Sequence, residues 1–453
     1  MDMPPENTSS ETRKNLTYEV DEEFYPLVRR YKDGRIERFF SSFVPACEDQ
    51  ATNRGVATRD VVIDQDTGVS ARLFLPSSSS SQAAAAAAAA TATGGTGKRR
   101  LPLVLYVHGG SFCTDSAFSR TYHRYVSSLA ASCGALVVSV EYRLAPEYPI
   151  PTAYDDTWVA LRWMASLSDP WLANYADPEQ TFLAGDSAGA NIAYNMAVRA
   201  AQDHHMMDIE GLIMVHPFFW GVHRLPSEEK HQASSGEESL LFPPVWVDRL
   251  WPFVTAGMAG NDDPLIDPSD EDMSCVTCRR VLVAVAEKDT FRERGCQFAS
   301  RLRDNGMVQD EVTVVESEGE DHGFHLFRPL RATSKNLMKR IVQFINQPGP
   351  TPSSTTTVMP DQAGDCWSYR PMLGVPTRPF KDIFGYGMNM KRWSNNGSSV
   401  TTTNSLMVVG PRPKLSSPRI FSNPPAGAGP QRRYRGPFPI IIPGRDYVMK
   451  TLF

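Results

Sequence analysis

The sequence predicts an α/β fold, a mostly parallel central sheet with helices on both faces, and three observations carry that reading. Residues 101–107, 135–140 and 280–286 are near-continuous apolar runs rather than alternating ones, the pattern of strands covered on both faces. Stretches of helical spacing separate such runs, so strand and helix alternate along the chain. Between the second and third runs lies Phe182-Leu-Ala-Gly185-Asp186-Ser187-Ala188-Gly189, an apolar strand, a Gly-x-Ser-x-Gly turn and the start of an Ala-rich helix. The glycines at 185 and 189 remove side chains where strand and helix crowd together, leaving Ser187 on a strained turn with its hydroxyl in the open.

The elements follow in order. Residues 1–18 are polar and read as disordered. Residues 19–43 carry Phe24, Leu27, Val28, Phe39, Phe40 and Phe43, apolar enough to bury, with a short second element over 35–40 after the Asp33-Gly34 turn. Residues 60–64 and 69–76 read as an antiparallel pair joined at Asp66-Thr67-Gly68. The serine and alanine runs of 77–100 offer no apolar face and read as a flexible surface insert. A strand at 101–107 runs directly into His108-Gly109-Gly110-Ser111-Phe112. Helices are expected over 122–132 and 153–167 with a strand at 135–140 between them, and the helix after Ser187 runs to about Gln202. A strand over 211–217, an irregular section rich in Trp, Phe and Pro over 218–274, and a strand at 280–286 come next. A helix over 292–305, a strand over 311–316 and an amphipathic helix over 334–346 close the domain, which therefore spans 19–347. From 348 to 453 the composition shifts to Pro, Gly, Ser, Thr and Arg without periodicity, the mark of a disordered tail.

With 453 residues and 41% hydrophobic content the chain can build one large domain with appendages. A formal net charge of −5 gives no reason to expect nucleic acid as a partner. The first residues lack the basic and apolar regions of a signal peptide, and no run approaches the ~20 apolar residues of a membrane span. A soluble, cytoplasmic protein is expected. Seven cysteines, an odd number, suit reduced core thiols better than a disulfide framework. Cys275-Val-Thr-Cys278 has no second pair and no neighbouring histidine, so it is a weak metal or redox signal, and no metal or cofactor is expected.

A serine hydroxyl is too weak an acid to attack an ester unaided, so it needs a base, best a histidine held in one tautomer by a carboxylate. Where the serine sits on a strand–turn–helix elbow, the acid and then the histidine follow in the chain, on loops after strand ends. Ser187, Asp289 and His322 meet both conditions. His325 satisfies the order but lies further from its strand, and Glu287 is the rival acid, with less room to turn inward. Asp262, Asp263, Asp267 and Asp270 lie in the irregular section, Asp321 reads as solvent-facing, and His216 precedes the acid, which suits a core or loop role. An oxyanion needs preorganised N–H donors, and the amides of Gly109, Gly110 and Ala188 are the candidates.

Taken together, His108-Gly-Gly110, Tyr142-Arg-Leu-Ala-Pro-Glu147, Gly185-Asp-Ser-Ala-Gly189 and His322-Gly-Phe-His-Leu-Phe327 resemble the plant carboxylesterases of the hormone-sensitive-lipase-like branch of the α/β-hydrolases. The resemblance runs from about Val20 to Phe344; the Ala-rich insert and the tail are departures from it. It implies an α/β-hydrolase fold with a small helical cap, from 19–43 and part of 218–267, over the acyl and alcohol pockets. It also implies hydrolysis of small to medium esters through an acyl-enzyme, with a small-molecule ester as partner. Two other activities occur on similar scaffolds. Gibberellin receptors keep the serine but lose the histidine, which is present here as His322. Isoflavanone dehydratases differ in pocket shape, and the sequence leaves that reading open.

Overall fold

The computed structural model describes residues 19–347 except 40–41, 50–54, 78–99, 204–205, 234–241 and 309–310. The expected disordered N-terminus, most of the Ala-rich insert and the 348–453 tail lie outside the described residues. All described residues belong to the first of two units into which the chain divides, residues 1–372.

Eleven strands are β1 (Val20–Phe24), β2 (Val28–Tyr31), β3 (Ile36–Arg38), β4 (Val56–Val62), β5 (Ser70–Pro76), β6 (Leu101–Val107), β7 (Leu136–Glu141), β8 (Ala176–Asp186), β9 (Gly211–Val215), β10 (Arg280–Ala286) and β11 (Glu311–Ser317). The helices that matter below are α1 (Arg120–Cys133), α2 (Thr152–Ala165), α3 (Pro170–Tyr175), α4 (Ala188–Ala201), α5 (Pro226–Ala233), α6 (Pro244–Val254), α7 (Asp270–Ser274), α8 (Arg292–Asp304), α9 (Phe324–Phe327) and α10 (Ala332–Asn346).

Eight strands form one sheet in the order β11-β10-β9-β8-β6-β7-β5-β4. From β7 to β11 every neighbour is parallel. The early β4–β5 pair joins antiparallel at one edge, because a short turn can connect only antiparallel strands. The apolar runs are explained by two cores. Leu103, Leu105 and Val107 of β6 enter one core with residues of α2, α4 and α8, whereas Val104 and Tyr106 enter the other with residues of α1 and α10. Side chains alternate across a strand, so a strand with a core on each face must be apolar at every position; all seven residues of β10 are buried.

The N-terminal part of the expected helical cap is a sheet instead. β1, β2 and β3 form a separate antiparallel three-stranded sheet. The signal lies in the charges. Arg29 stands in register with Glu23 on one side and Glu37 on the other, and bonds both, at 2.5 and 3.2 Å. Such cross-strand pairs are period-two partners that a helix would separate. Gly34, at φ 86°, supplies the left-handed turn between β2 and β3. Helices α5 and α6 fall within the 218–267 stretch expected to complete the cap, and Phe24 packs the small sheet on α6, at 4.9 Å from Trp246 and 4.8 Å from Phe253.

Cys47, Cys113, Cys133, Cys278 and Cys296 are free thiols, but Cys275 is disulfide-bonded, contrary to the expectation of reduced thiols throughout. Cys275 and Cys278 are therefore not bonded to each other. Among the described residues no helix is long and apolar enough to cross a membrane.

The two-core sheet makes a stability contrast. Leu105→Ala, at a fully buried position, is expected to lower the unfolding free energy by about 2–5 kcal/mol in chemical denaturation. Val314→Ala, at a position 37% exposed on β11, is expected to cost less than about 1 kcal/mol.

Candidate active site

Ser187 sits between β8 and α4 with φ 51° and ψ −122°, a conformation that costs a non-glycine residue about 1–3 kcal/mol. The surroundings hold it there. Its N–H donates to Val215 O at 2.9 Å and its carbonyl accepts from Phe218 N–H at 3.1 Å. The flanking glycines let the backbones close in: a Cβ on Gly185 would stand 2.4 Å from the Gly189 carbonyl carbon, and one on Gly189 would stand 2.1 Å from Val107 O.

Asp289 follows the end of β10 and is buried. Its Oδ2 lies 2.7 Å from His322 Nδ1, and its Oδ1 accepts from Phe291 N–H at 3.0 Å. Burial alone would raise this carboxyl's pKa, but the facing His322, His216 and the Phe291 amide outweigh it and hold the group below its ordinary value. The rival Glu287 is exposed and turned away, accepting from Gly319 N–H at 2.6 Å. Asp270 and Asp321 face Arg301 and Arg328, and Asp263 accepts from the Trp251 indole.

His322 lies beyond β11, edge-on to Phe242 and Phe291 at 4.8 and 5.3 Å. An ionised carboxylate can only accept, so Nδ1 carries the ring proton and Nε2 keeps a lone pair. Among the described residues no hydrogen bond joins Ser187 Oγ to His322. β9 lies between them: Ser187 bonds Val215, and the ring of the next residue, His216, lies 5.5 Å from that of His322. His325 is not a base for this serine. It points into the core beneath α9, edge-on to Tyr125 at 5.0 Å, and burial drives its pKa well below the ordinary value.

His216 has a structural task that the sequence did not reveal. Its Nδ1 accepts from the N–H of Gly323 at 3.2 Å, fixing the peptide that follows His322. Burial lowers its pKa to about 3, so it stays neutral and keeps that lone pair. His216, Asp289 and His322 form a group with donor atoms within 4.8 Å of one another, the spacing of a possible metal site among the described residues. Asp289 and His322 are hydrogen-bonded to one another and His216 Nδ1 accepts from Gly323, while among the described residues His216 Nε2 is buried without a hydrogen-bond partner.

The loop after β6 supplies amides. Gly110, Ser111 and Phe112 take successive φ values of 102°, 54° and 61°, a left-handed run that non-glycine residues rarely adopt. Gly109 corrects the sequence reading. Its N–H is already committed, donating to the Tyr122 hydroxyl at 2.8 Å. Its lack of a side chain serves a different end, since a Cβ there would stand 2.5 Å from Asp186 Oδ2. Among the described residues the amides of Gly110, Ser111 and Ala188 have no acceptor.

Below this loop lies a polar network hidden in apolar sequence. The Tyr106 and Tyr122 hydroxyls donate to the two oxygens of Asp186, at 2.7 and 2.8 Å. Burial raises the pKa of Asp186 against those bonds. The Tyr142 hydroxyl donates to His108 O at 2.9 Å, and its ring stacks on His108 at 4.2 Å. Burial lowers the His108 pKa to about 4, leaving it neutral, and its Nδ1 donates to Gly109 O at 2.8 Å.

Comparisons with known proteins agree with this geometry. A family model described as the alpha/beta hydrolase fold matches residues 104–326. A 2-hydroxyisoflavanone dehydratase from Glycyrrhiza echinata is 38% identical, covering 74% of this chain and 99% of its own length. Probable carboxylesterase 3 from Arabidopsis thaliana is 36% identical, covering 72% and 97%. Among solved structures, a hyperthermophilic esterase from the archaeon Pyrobaculum calidifontis superimposes with a TM-score of 0.50 and 26% identity, over 64% of this chain and 84% of that one. With the elbow, the strand order and near-complete coverage of these relatives in agreement, the chain belongs to the plant carboxylesterase family, in the hormone-sensitive-lipase-like branch of the α/β-hydrolases.

Proposed function

We propose that this chain is a serine carboxylesterase that hydrolyses small to medium carboxylic esters through an acyl-enzyme, with Ser187 as nucleophile, His322 as base and Asp289 as its orienting acid. The observation that carries the reading is the 2.7 Å Asp289–His322 pair beside a serine held at positive φ. In the first half-reaction His322 Nε2 takes the Ser187 proton as Oγ attacks the ester carbonyl. The amides of Gly110, Ser111 and Ala188 face the developing oxyanion. Collapse expels the alcohol, which takes the proton back from His322, and a water attacks the acyl-enzyme by the same route. No cofactor enters these steps. The reading includes a cytoplasmic setting, which the free thiols of Cys47, Cys113, Cys133, Cys278 and Cys296 suit and the disulfide-bonded Cys275 does not.

A second reading, elimination of water from a 2-hydroxyisoflavanone, has one observation in its favour, the 38% identity to a relative of that name. Gibberellin-type binding without turnover has less support, because the histidine and its acid stand together here.

Ser187→Ala is expected to lower kcat for p-nitrophenyl acetate by about 10³-fold or more and to abolish organophosphate labelling. Full activity in the variant would falsify the assignment, and dehydration of a 2-hydroxyisoflavanone without ester turnover would select the second reading. Asp289→Asn is expected to cost about 10³–10⁴-fold in kcat, because the amide no longer fixes the productive tautomer. The pH profile tests the base. Asp289 is held below its ordinary pKa, His108 is lowered to about 4 and His216 to about 3. None of the three changes charge above pH ~5, whereas burial raises Glu141 to about 7 and Asp115 to about 6 beside the loop after β6, so the acid limb of kcat/KM there should combine the ionisation of the base with those of these two carboxyls. A kcat/KM that does not change between pH ~5 and ~8 would contradict the assignment.

A further inference from the structure

We propose that Arg38 is a positioning residue that couples the docking of the N-terminal cap sheet to the aim of the oxyanion amides; the inference rests on the esterase reading above.

Arg38 ends β3, and its side chain is 22% exposed. One guanidinium makes four hydrogen bonds to three other places in the fold. Nε donates to Cys113 O at 2.7 Å, Nη2 to Ala145 O at 3.0 Å, and Nη1 and Nη2 to the two carboxylate oxygens of Glu147 at 2.8 and 2.6 Å. A planar fork with donors on both edges can satisfy this set, and the single ammonium of lysine cannot.

Cys113 is where this contact reaches the chemistry. The N–H groups of Cys113 and Thr114 both donate to Gly110 O at 3.0 Å, closing the turn that carries the Gly110 and Ser111 amides. Phe112 O accepts from Ala145 N–H at 3.0 Å, so the second carbonyl held by Arg38 belongs to the residue braced against the same turn. At the far end of the loop, Ser116 Oγ–H and Ala117 N–H donate to Glu141 at 2.8 and 2.7 Å. The inner and far sides are thus fixed by the body of the domain, and the outer side is fixed by the cap through Arg38. Ser111 and Phe112 sit at positive φ, a conformation that persists only while its surroundings enforce it. A second connection runs in parallel: Phe24 packs on α6, and Trp251 of α6 packs on Phe112 at 5.5 Å.

A group that aims oxyanion donors acts in the transition state and so moves kcat, whereas one that merely seats the cap over the pocket moves KM. The test uses the full chain, with active sites counted by the p-nitrophenolate burst from a chromogenic organophosphate and turnover read on p-nitrophenyl acetate. Arg38→Gln is expected to lower kcat per titrated site by about 10–100-fold, short of the 10²–10³ that follows loss of a whole donor, with KM changed by less than about threefold. Arg38→Lys should fall between that variant and the native chain, and Glu147→Gln, which leaves both carbonyl contacts in place, should cost less than Arg38→Gln. If Arg38→Gln does not fold, Arg38→Lys decides by the same measure. A kcat per titrated site within about twofold of native, or a change confined to KM, overturns the proposal while leaving the esterase reading intact. Absence of both burst and turnover in the native chain overturns the esterase reading, and the proposal with it.

Discussion

The site depends on how closely one helix approaches two strands. α4 can start directly beside β6 because Gly189 has nothing to place against Val107 O, where a Cβ would stand at 2.1 Å. That approach sets everything near it. It leaves Ser187 no room for an ordinary backbone conformation, holds the first amide of α4 beside the serine, and brings the loop after β6 to the same point. The cost of the strained serine, of the order of 1–3 kcal/mol, is small beside the burial of two extensive apolar cores. The sheet is what enforces the local geometry, and the elbow cannot relax without prising α4 from β6.

Much of this was legible in the sequence, for a physical reason. Parallel strands with a core on each face must be apolar throughout, so 101–107 and 280–286 announced themselves, and β6 and β10 match those bounds. Asp289 and His322 could be picked as candidates because polar groups past strand ends stand out against apolar runs. The loop after β6 was legible as a candidate source of amide donors, but the partner that the Gly109 N–H takes was not. Composition says that glycines permit a close approach; it does not say what approaches. At Gly109 that partner is a carboxylate at the end of the neighbouring strand β8, close in the fold and far off in the chain.

What sequence reading missed shares one character: it is polar, buried and paired over long separations. Tyr106 and Tyr122 read as ordinary core aromatics, yet each spends its hydroxyl on Asp186, 80 and 64 residues away. His216 reads as a residue ending a strand, yet its ring accepts from a backbone amide 107 residues on. Buried polar groups must find partners, but nothing local says which. The cap failed differently. Its N-terminal segment has apolar residues enough for a helix, and only the facing charges of Arg29 with Glu23 and Glu37 reveal period two.

The position of that small sheet in the chain has a consequence for the order of assembly. β1–β3 leave the ribosome first, but the surfaces that receive them are synthesised much later: Cys113 O lies 75 residues after Arg38 and Ala145 O 107 residues after it, and Trp246 and Phe253 are translated later still. During synthesis the segment must therefore wait, its apolar Phe24 without a place to dock. Closing so long a loop is among the slower entropic steps available to a chain. The small sheet can settle on these surfaces only after residue 253 has been made, and the loop that Arg38 braces has to wait for that contact.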